Sequence, residues 1–301
     1  MISKVLDTML GLGETKIDPD VLITVMTFFG IVQGGLLMFA PGVSLKMYGS
    51  EDESLYSLAH AEYIGTAVLT CGLTCFCLFG LNLDTMTTFG AASLVWTAEH
   101  IRALINQYPS RMGMKPQGQV FWLLYSILVV NACFFSASYA QQLILAGHGL
   151  FAVHNVLIII KPKVVGQIYG YKKHLNDDQK GWLRGFAYEN LAMTVFGLGL
   201  VNGVEAHKAV GLTSMVVVVH CAHDLLIERD LGMLGSFLMY FWMICHATTA
   251  VTFLSTEVVA NVLRGVVAIV TVAKFTRVVV PLMEAYPQIG EEDLLTKAPG
   301  L

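Results

Sequence analysis

Nine apolar stretches, each near the length that crosses a bilayer as a helix, constrain this chain more than any other feature. They run over about 21–41, 57–81, 85–106, 118–143, 145–161, 182–203, 207–227, 232–254 and 257–282. A helical span needs about 20 predominantly apolar residues. In lipid every backbone polar group must be bonded inside the protein, which leaves only helices and closed barrels. The stretches lack the period-two alternation of barrel strands, so they predict helices. Charged residues make up 13% of the chain and apolar residues 55%, with a mean hydropathy of +0.64. Soluble domains carry about 25% charged residues. The expected fold is an all-α polytopic membrane protein with about nine transmembrane helices.

Residues 1–20 have no uninterrupted apolar core, no clear cleavage site and no run of arginines, so they do not read as a targeting peptide. Ile2, Val5, Leu6, Met9 and Leu10 share one helical face, opposite Ser3, Lys4, Asp7 and Thr8. That pattern predicts a short amphipathic helix at the membrane surface. Residues 286–301 read as a polar C-terminal tail.

One corner is written twice. "PGVSLKMYG" ends the first stretch at Pro41–Gly49, and "PKVVGQIYG" ends the fifth at Pro162–Gly170. Other echoes follow in the same order. Glu62 and Glu189 enter the second and sixth stretches. "EH" (Glu99, His100) and "HD" (His223, Asp224) close the third and seventh. Tyr125 and Asn131 match Tyr240 and His246 at a spacing of six. The order implies two four-helix repeats, 21–143 and 144–255, with an additional helix in 256–285. An even number of helices per repeat makes the copies parallel, related by an axis along the membrane normal.

Lysine and arginine distribution sets an expected orientation. Loops after odd-numbered stretches, with the C-terminal tail, hold twelve of them, against three on the other side and leaving aside those inside the ninth stretch. The positive-inside rule places the odd-side loops and the C-terminus in the cytoplasm, or in the stroma or matrix of an organelle, and the N-terminus opposite. The net charge of −4 and pI near 6.1 argue against nucleic acid, which wants a dense basic face.

Ionisable groups at membrane depth are expensive and are functional candidates by default. Glu62, Glu99, His100, Glu189, Asn190, His220, His223 and Asp224 all fall one to two turns below the basic surface. They predict one polar cluster in each half, or one shared cluster at the repeat interface. Helical spacing puts Trp96 with His100, and His220 with Asp224, on common faces. Glu62, Glu189, His100 and His223 are the candidate acid–base residues. Trp96, Glu99, Asn190, His220, Asp224 and His246 are the candidate ligand contacts. The plain alternative is that each acid meets a His or Arg across a helix interface and holds the bundle together.

"HCAHD" is a short histidine box with no second box to complete a di-iron site. Two facing histidines such as His100 and His223 are a weak haem signal, and the sequence names no cofactor and assigns no metal site. Lys274, inside the ninth stretch, reads as snorkelling to the basic side. The six cysteines lie in apolar stretches and read as small buried residues. Trp182 reads as an interfacial anchor, and Trp96 and Trp242 lie deeper. Gly30 with Gly34, and Gly199 with Gly203, form small-residue faces for close helix packing.

The first half, with "LLMFAPGVSLKMYG" followed by a polar stretch and the small-residue helix "GTAVLTCGLTC", resembles the DoxX-like group of four-helix membrane proteins. That group has no single chemistry to carry over. More distantly the chain is similar to EXPERA-type proteins, among them sterol isomerases and lipid-binding proteins, which use intramembrane acids, a His and a Trp. Neither resemblance transfers a site residue.

Three functions are compatible with these residues. One is binding or transforming a lipid-like molecule of isoprenoid or sterol type within the bilayer. A protonated Glu62 or Glu189 would donate a proton, His100 or His223 accept one, and Trp96 face a developing cation. The second is a non-catalytic accessory or scaffold subunit with membrane-protein partners or a second copy of itself. The third is a proton-linked transporter, which the absence of a visibly broken helix disfavours.

Overall fold

The computed structural model describes residues 17–163, 175–228 and 231–285. The expected amphipathic helix over the first sixteen residues, the second corner beyond Lys163 and the tail after Ala285 lie outside them. Helices are the regular secondary structure of the described residues, which contain no strand. Nine helices among them have 18 residues or more. In chain order these are α1 (Pro19–Phe39), α3 (Leu55–Cys75), α4 (Thr85–Ile105), α6 (Gln117–Phe134), α7 (Ala140–Ile160), α8 (Asp177–Val201), α9 (Ala206–His223), α10 (Gly232–Leu254) and α11 (Glu257–Ala285). Two short helices intervene, α2 (Pro41–Met47) and α5 (Tyr108–Arg111). Helix α3 runs on through a π turn at Phe76–Gly80, and α9 through one at Asp224–Glu228.

Six helices among the described residues are long and apolar enough to cross a membrane: α1, α3, α6, α7, α9 and α10, with α3 and α9 counted through their π turns. Their outer faces are apolar and exposed, as with Val21, Phe28 and Val32 on α1 and Leu124 and Leu128 on α6. Polar residues turn inward instead. Thr66, Thr70 and Thr74 form a buried ladder along α3, each hydroxyl donating to the carbonyl four residues earlier at 2.7–2.9 Å. Backbone and hydroxyl groups away from water are thus satisfied within the helix.

Local sequence fixes the helix ends. Asp18 accepts from the Asp20 N–H at 2.9 Å, with Pro19 at the first helical position. Asp84 caps α4 through the amides of Met86 and Thr87. Asn176 and Gln179 form a reciprocal capping box that opens α8. Helix α8 therefore starts five residues before the sixth apolar stretch. The fourth stretch was expected to run to 143, but α6 ends at Phe134 and α7 begins at Ala140. A turn through Ser136 (φ 50) separates them, and its flanking Phe135 and Tyr139 keep the hydropathy high across the break.

Helices α3 and α8 pack against each other at the centre. Around them α1 packs on α3 and α7 on α8, α4 lies against α3 and α9 against α8, and α6 pairs with α4 as α10 does with α9. Lighter contacts join α1 to α10 and α6 to α7. Gly34 and Gly65 let the backbones of α1 and α3 meet: a Cβ on Gly65 would lie 2.5 Å from the Met38 nitrogen, and one on Gly34 would overlap Leu69. Gly203, expected on a packing face, instead ends α8 with φ +79. The Tyr48–Gly49 corner docks on the start of α10. Gly49 has φ +74 and abuts the Leu231 carbonyl, so both its backbone and its contact require glycine.

Candidate functional site

The principal cavity lies between α1, α3, α8, α9 and α10 and holds about 1130 Å³ of unfilled space, its open part included. On α8 the residues facing it recur at helical spacing: Gly181, Gly185, Glu189, Ala192 and Phe196. The two glycines leave room where side chains would otherwise fill the α8–α9 groove. From Gly181 to Phe196 the cavity follows α8 for about 22 Å at the helical rise. One stretch of it is polar, with Glu189, His220, Asp224, His246, Ser214 and Gln33, and the rest is mostly apolar.

Helix α9 supplies the centre of the polar group. His220 and Asp224 stand four residues apart on one face, at the point where the α-helix gives way to the π turn. Such turns recur at functional positions. The His220 Nδ1 lies 2.7 Å from Glu189 Oε1, and its Nε2 lies 3.6 Å from Asp224 Oδ2. Tyr188 stacks on the imidazole, with centroids 5.1 Å apart and planes 13° apart. These side chains are largely shielded, at 13% exposure for Glu189, 10% for His220 and 3% for Asp224. Nearby, His246 Nδ1 is 3.2 Å from Ser214 Oγ, and the Gln33 amide donates to the Tyr48 hydroxyl at 2.8 Å. An imidazole between two carboxylates can hold a proton, pass it to either side, and offer it to a group in the cavity. The carboxylates accept hydrogen bonds and favour a positive charge or a donor head group.

Phe29 of α1 closes the seam to α10. It meets Phe241 edge-on at 6.0 Å and Trp242 at 5.9 Å. Trp242 also lines the cavity. Trp182, expected at the lipid interface, is 3% exposed and packs edge-on against Tyr48 at the cavity wall. Helix α8 begins five residues before Trp182, which stands in its second turn beside Gly181 and Gly185 on the face that lines the cavity.

The first-half acids are arranged differently. Arg102 donates from Nε to Glu99 Oε2 at 2.9 Å, from Nη2 to Glu99 Oε1 at 2.8 Å, and from Nη2 to Glu62 Oε2. The Tyr108 hydroxyl adds a bond to Glu62 at 3.3 Å. Glu99 is wholly buried. His100 and Trp96 line a separate cavity between α4, α6, α7 and α8. The His100 Nδ1 accepts from the Gln119 amide at 2.8 Å, and the Trp96 indole donates to Met193 Sδ at 3.1 Å. Asn190 bonds back to the Phe186 carbonyl at 2.9 Å, and His223 lies against the Tyr188 ring at 5.6 Å.

Of the ten sequence candidates, Glu189, His220, Asp224 and His246 thus gather in one cavity, Trp96 and His100 in another, and Glu62 and Glu99 on one guanidinium. Sequence reasoning missed Gln33, Tyr48 and Ser214. Gln33 had a signal, as an amide in an otherwise apolar first stretch. All six cysteines are free, and Cys71 and Cys75 line the principal cavity. No group of three or more His, Cys, Asp or Glu among the described residues is placed to hold a metal ion. No protein-family model, curated protein or solved structure matches the chain.

Proposed function

We propose that this is an integral membrane protein that binds or transforms a lipid-like molecule in the cavity lined by Glu189, His220 and Asp224. One observation carries the reading: a long, mostly apolar cavity has an acid–imidazole–acid group along one wall. Apolar walls suit an isoprenoid or sterol-type body, and a few convergent polar groups fix its head. A head with a hydroxyl or ammonium donor matches the two carboxylates. If the ligand is transformed, proton transfer through His220 is the chemistry the group supplies.

We further propose that all nine long helices cross the membrane as two parallel four-helix sets, α1, α3, α4, α6 and α7, α8, α9, α10, with α11 added. The packing order supports this, because each neighbour contact in one set has a counterpart in the other, and α3–α8 lies at the centre. Polar residues lower the hydropathy of α4 and α8, yet Glu99 and Asn190 on them are wholly buried. The lysine and arginine bias places the loops after α1, α4, α7 and α9 on the cytoplasmic, stromal or matrix side.

Native mass spectrometry of protein extracted gently from its own membrane tests the binding. A bound small molecule is expected, retained in Glu62→Gln and lost in Glu189→Gln. Protein found bare, or only with fixed partner chains, overturns the reading in favour of a scaffold.

A further inference from the structure

The second cavity belongs to neither the Glu189 group nor the Arg102 network. It consists of two adjoining hollows that share walls of Trp96, His100, Trp122 and Phe151. They hold about 690 and 800 Å³ of unfilled space, open parts included. Aromatic rings dominate the walls. Trp122 and Phe151 lie 3.8 Å apart between centroids, and Trp96 and His100 5.6 Å apart.

Its polar groups differ from those of the principal cavity. No carboxylate lines either hollow, and the one lysine, Lys115, is exposed at an edge. Glu62 and Glu99 lie close by on α3 and α4, but Arg102 holds both. Three of the histidines, His60, His100 and His148, have roles set by their backbone and amide partners. His60 Nδ1 is 2.7 Å from the Tyr56 carbonyl and His148 Nδ1 is 3.1 Å from the Ile144 carbonyl. A carbonyl only accepts, so each ring carries its proton on Nδ1, and in the uncharged ring Nε2 is an acceptor. His100 is the reverse, since its Nδ1 accepts from the Gln119 amide and its Nε2 carries the proton. The cavity therefore offers a donor and acceptors with no carboxylate, between flat aromatic walls, and its one charged side chain is Lys115 at the edge.

From this we infer that the hollows around Trp96 and His100 are a second ligand site, for an uncharged fused-ring compound with a hydroxyl or carbonyl group. A hydroxyl meets an acceptor Nε2 of His60 or His148, a carbonyl meets the His100 N–H, and the ring system stacks on the tryptophans. An ammonium ligand finds no carboxylate there and belongs in the principal cavity. The second site thus lacks the carboxylate pair that would hold a cationic head, and it does not depend on whether the first binds anything.

The four tryptophans allow a direct test, because Trp96 and Trp122 line the second site and Trp182 and Trp242 the first. In Trp122→Phe/Trp182→Phe/Trp242→Phe, buried Trp96 is the sole indole reporter. The variant is placed in phosphatidylcholine vesicles, and a sterol brominated on its ring system is titrated in. Saturable quenching of Trp96 is expected, well beyond that given by a chain-brominated phosphatidylcholine at equal bromine content. His100→Ala should weaken the apparent affinity about tenfold, and Glu189→Gln should leave it unchanged. Quenching that is not saturable, that the brominated phospholipid equals, or that Glu189→Gln abolishes while His100→Ala does not, overturns the proposal. If the triple variant fails to fold, 19F NMR of the 5-fluorotryptophan-labelled chain replaces it. The Trp96 resonance, assigned by its loss in Trp96→Phe, must then shift saturably with unbrominated sterol; a resonance that stays fixed overturns the proposal equally.

Discussion

The two acid clusters differ in one partner, and that partner decides what each can do. In the first half Glu62 and Glu99 share Arg102, with the fork of the guanidinium on Glu99 and one of its nitrogens reaching Glu62 across to α3. In the second half Glu189 and Asp224 share His220, a ring with one proton to give when uncharged. A guanidinium has five donors and keeps its charge, so it saturates both acids and closes the gap between helices. An imidazole cannot saturate two carboxylates in its uncharged state, and this one stands at a cavity wall. Buried acids therefore do not form one class: the first pair bridges α3 and α4 through a guanidinium, and the second borders a cavity.

The comparison breaks most directly at Arg102. Arg102→Met leaves the wholly buried Glu99 and the shielded Glu62 without their cation, and losing one partner of a buried ion pair costs about 3 kcal/mol or more. Thermal unfolding in detergent should show a loss of that size, with bound ligand in the surviving folded fraction unchanged. A variant as stable as the wild type would show that the network is not structural. Next in size is the conversion of one cluster into the other. His220→Arg gives Glu189 and Asp224 the partner that Glu62 and Glu99 have, and pushes a longer side chain into the cavity. Ligand occupancy in native mass spectra should fall at least tenfold, about 1.4 kcal/mol of binding, while the protein stays folded. Retained occupancy would mean that the ligand head lies elsewhere.

How much of this was legible in the sequence depends on which force sets each feature. Hydropathy sets the helices, and the nine apolar stretches reappear as nine long helices among the described residues. It failed where a turn is itself apolar, at Phe135–Tyr139, and where a helix begins in polar residues, at Asp177. The rule that buried ionisable groups are functional candidates picked out Glu189, His220 and Asp224, which meet at the principal cavity. It equally found Glu62 and Glu99, because it sees that a charge is buried but not what it meets. Arg102 lies three residues from Glu99, so that pairing was legible from helical spacing. Its reach to Glu62 depends on how α3 and α4 pack side by side, which no local pattern encodes. The same limit hid Gln33 and Tyr48, which enter the cavity wall from α1 and the corner after α2.

A smaller effect tests whether the halves are tied together at the basic end. Asn176 caps α8 through the Gln179 amide at 2.7 Å, and its own side chain reaches Asp52 of the first half at 3.4 Å. Ser50 also bonds Asp178, and Gln179 bonds Ser54 at 3.3 Å. Asn176→Ala should cost about 1 kcal/mol, the usual worth of an N-cap. The loss should be seen as faster hydrogen exchange in the first turn of α8 and also near Ser54. Faster exchange in α8 alone would mean that the two halves end independently.

The smallest effect is a pH dependence at the same junction, centred on Asp52. Partial burial pushes its carboxyl up, but bonds from Ser54, Gln179 and Ser57 outweigh that and hold it below the ordinary carboxylate value. The native state thus favours the ionised form. Its contribution is complete above the unfolded value of about 3.9 and is lost as pH falls through the lower folded value. Exchange at the Ser54 and Ser57 amides, corrected for intrinsic rates, should rise between pH 5 and pH 3 by less than about tenfold, since a partly exposed carboxylate is screened. Asp52→Asn removes the titrating group and should flatten the profile while keeping much of the loop's geometry. Asp52 bonds Ser54, Ser57 and Asn176 rather than Arg102 or its acids, so Arg102→Met should leave the profile as it is. A profile that persists in Asp52→Asn, or vanishes in Arg102→Met, would mean that the junction and the buried ion network titrate as one unit, and the separation of the two acid clusters would have to be redrawn.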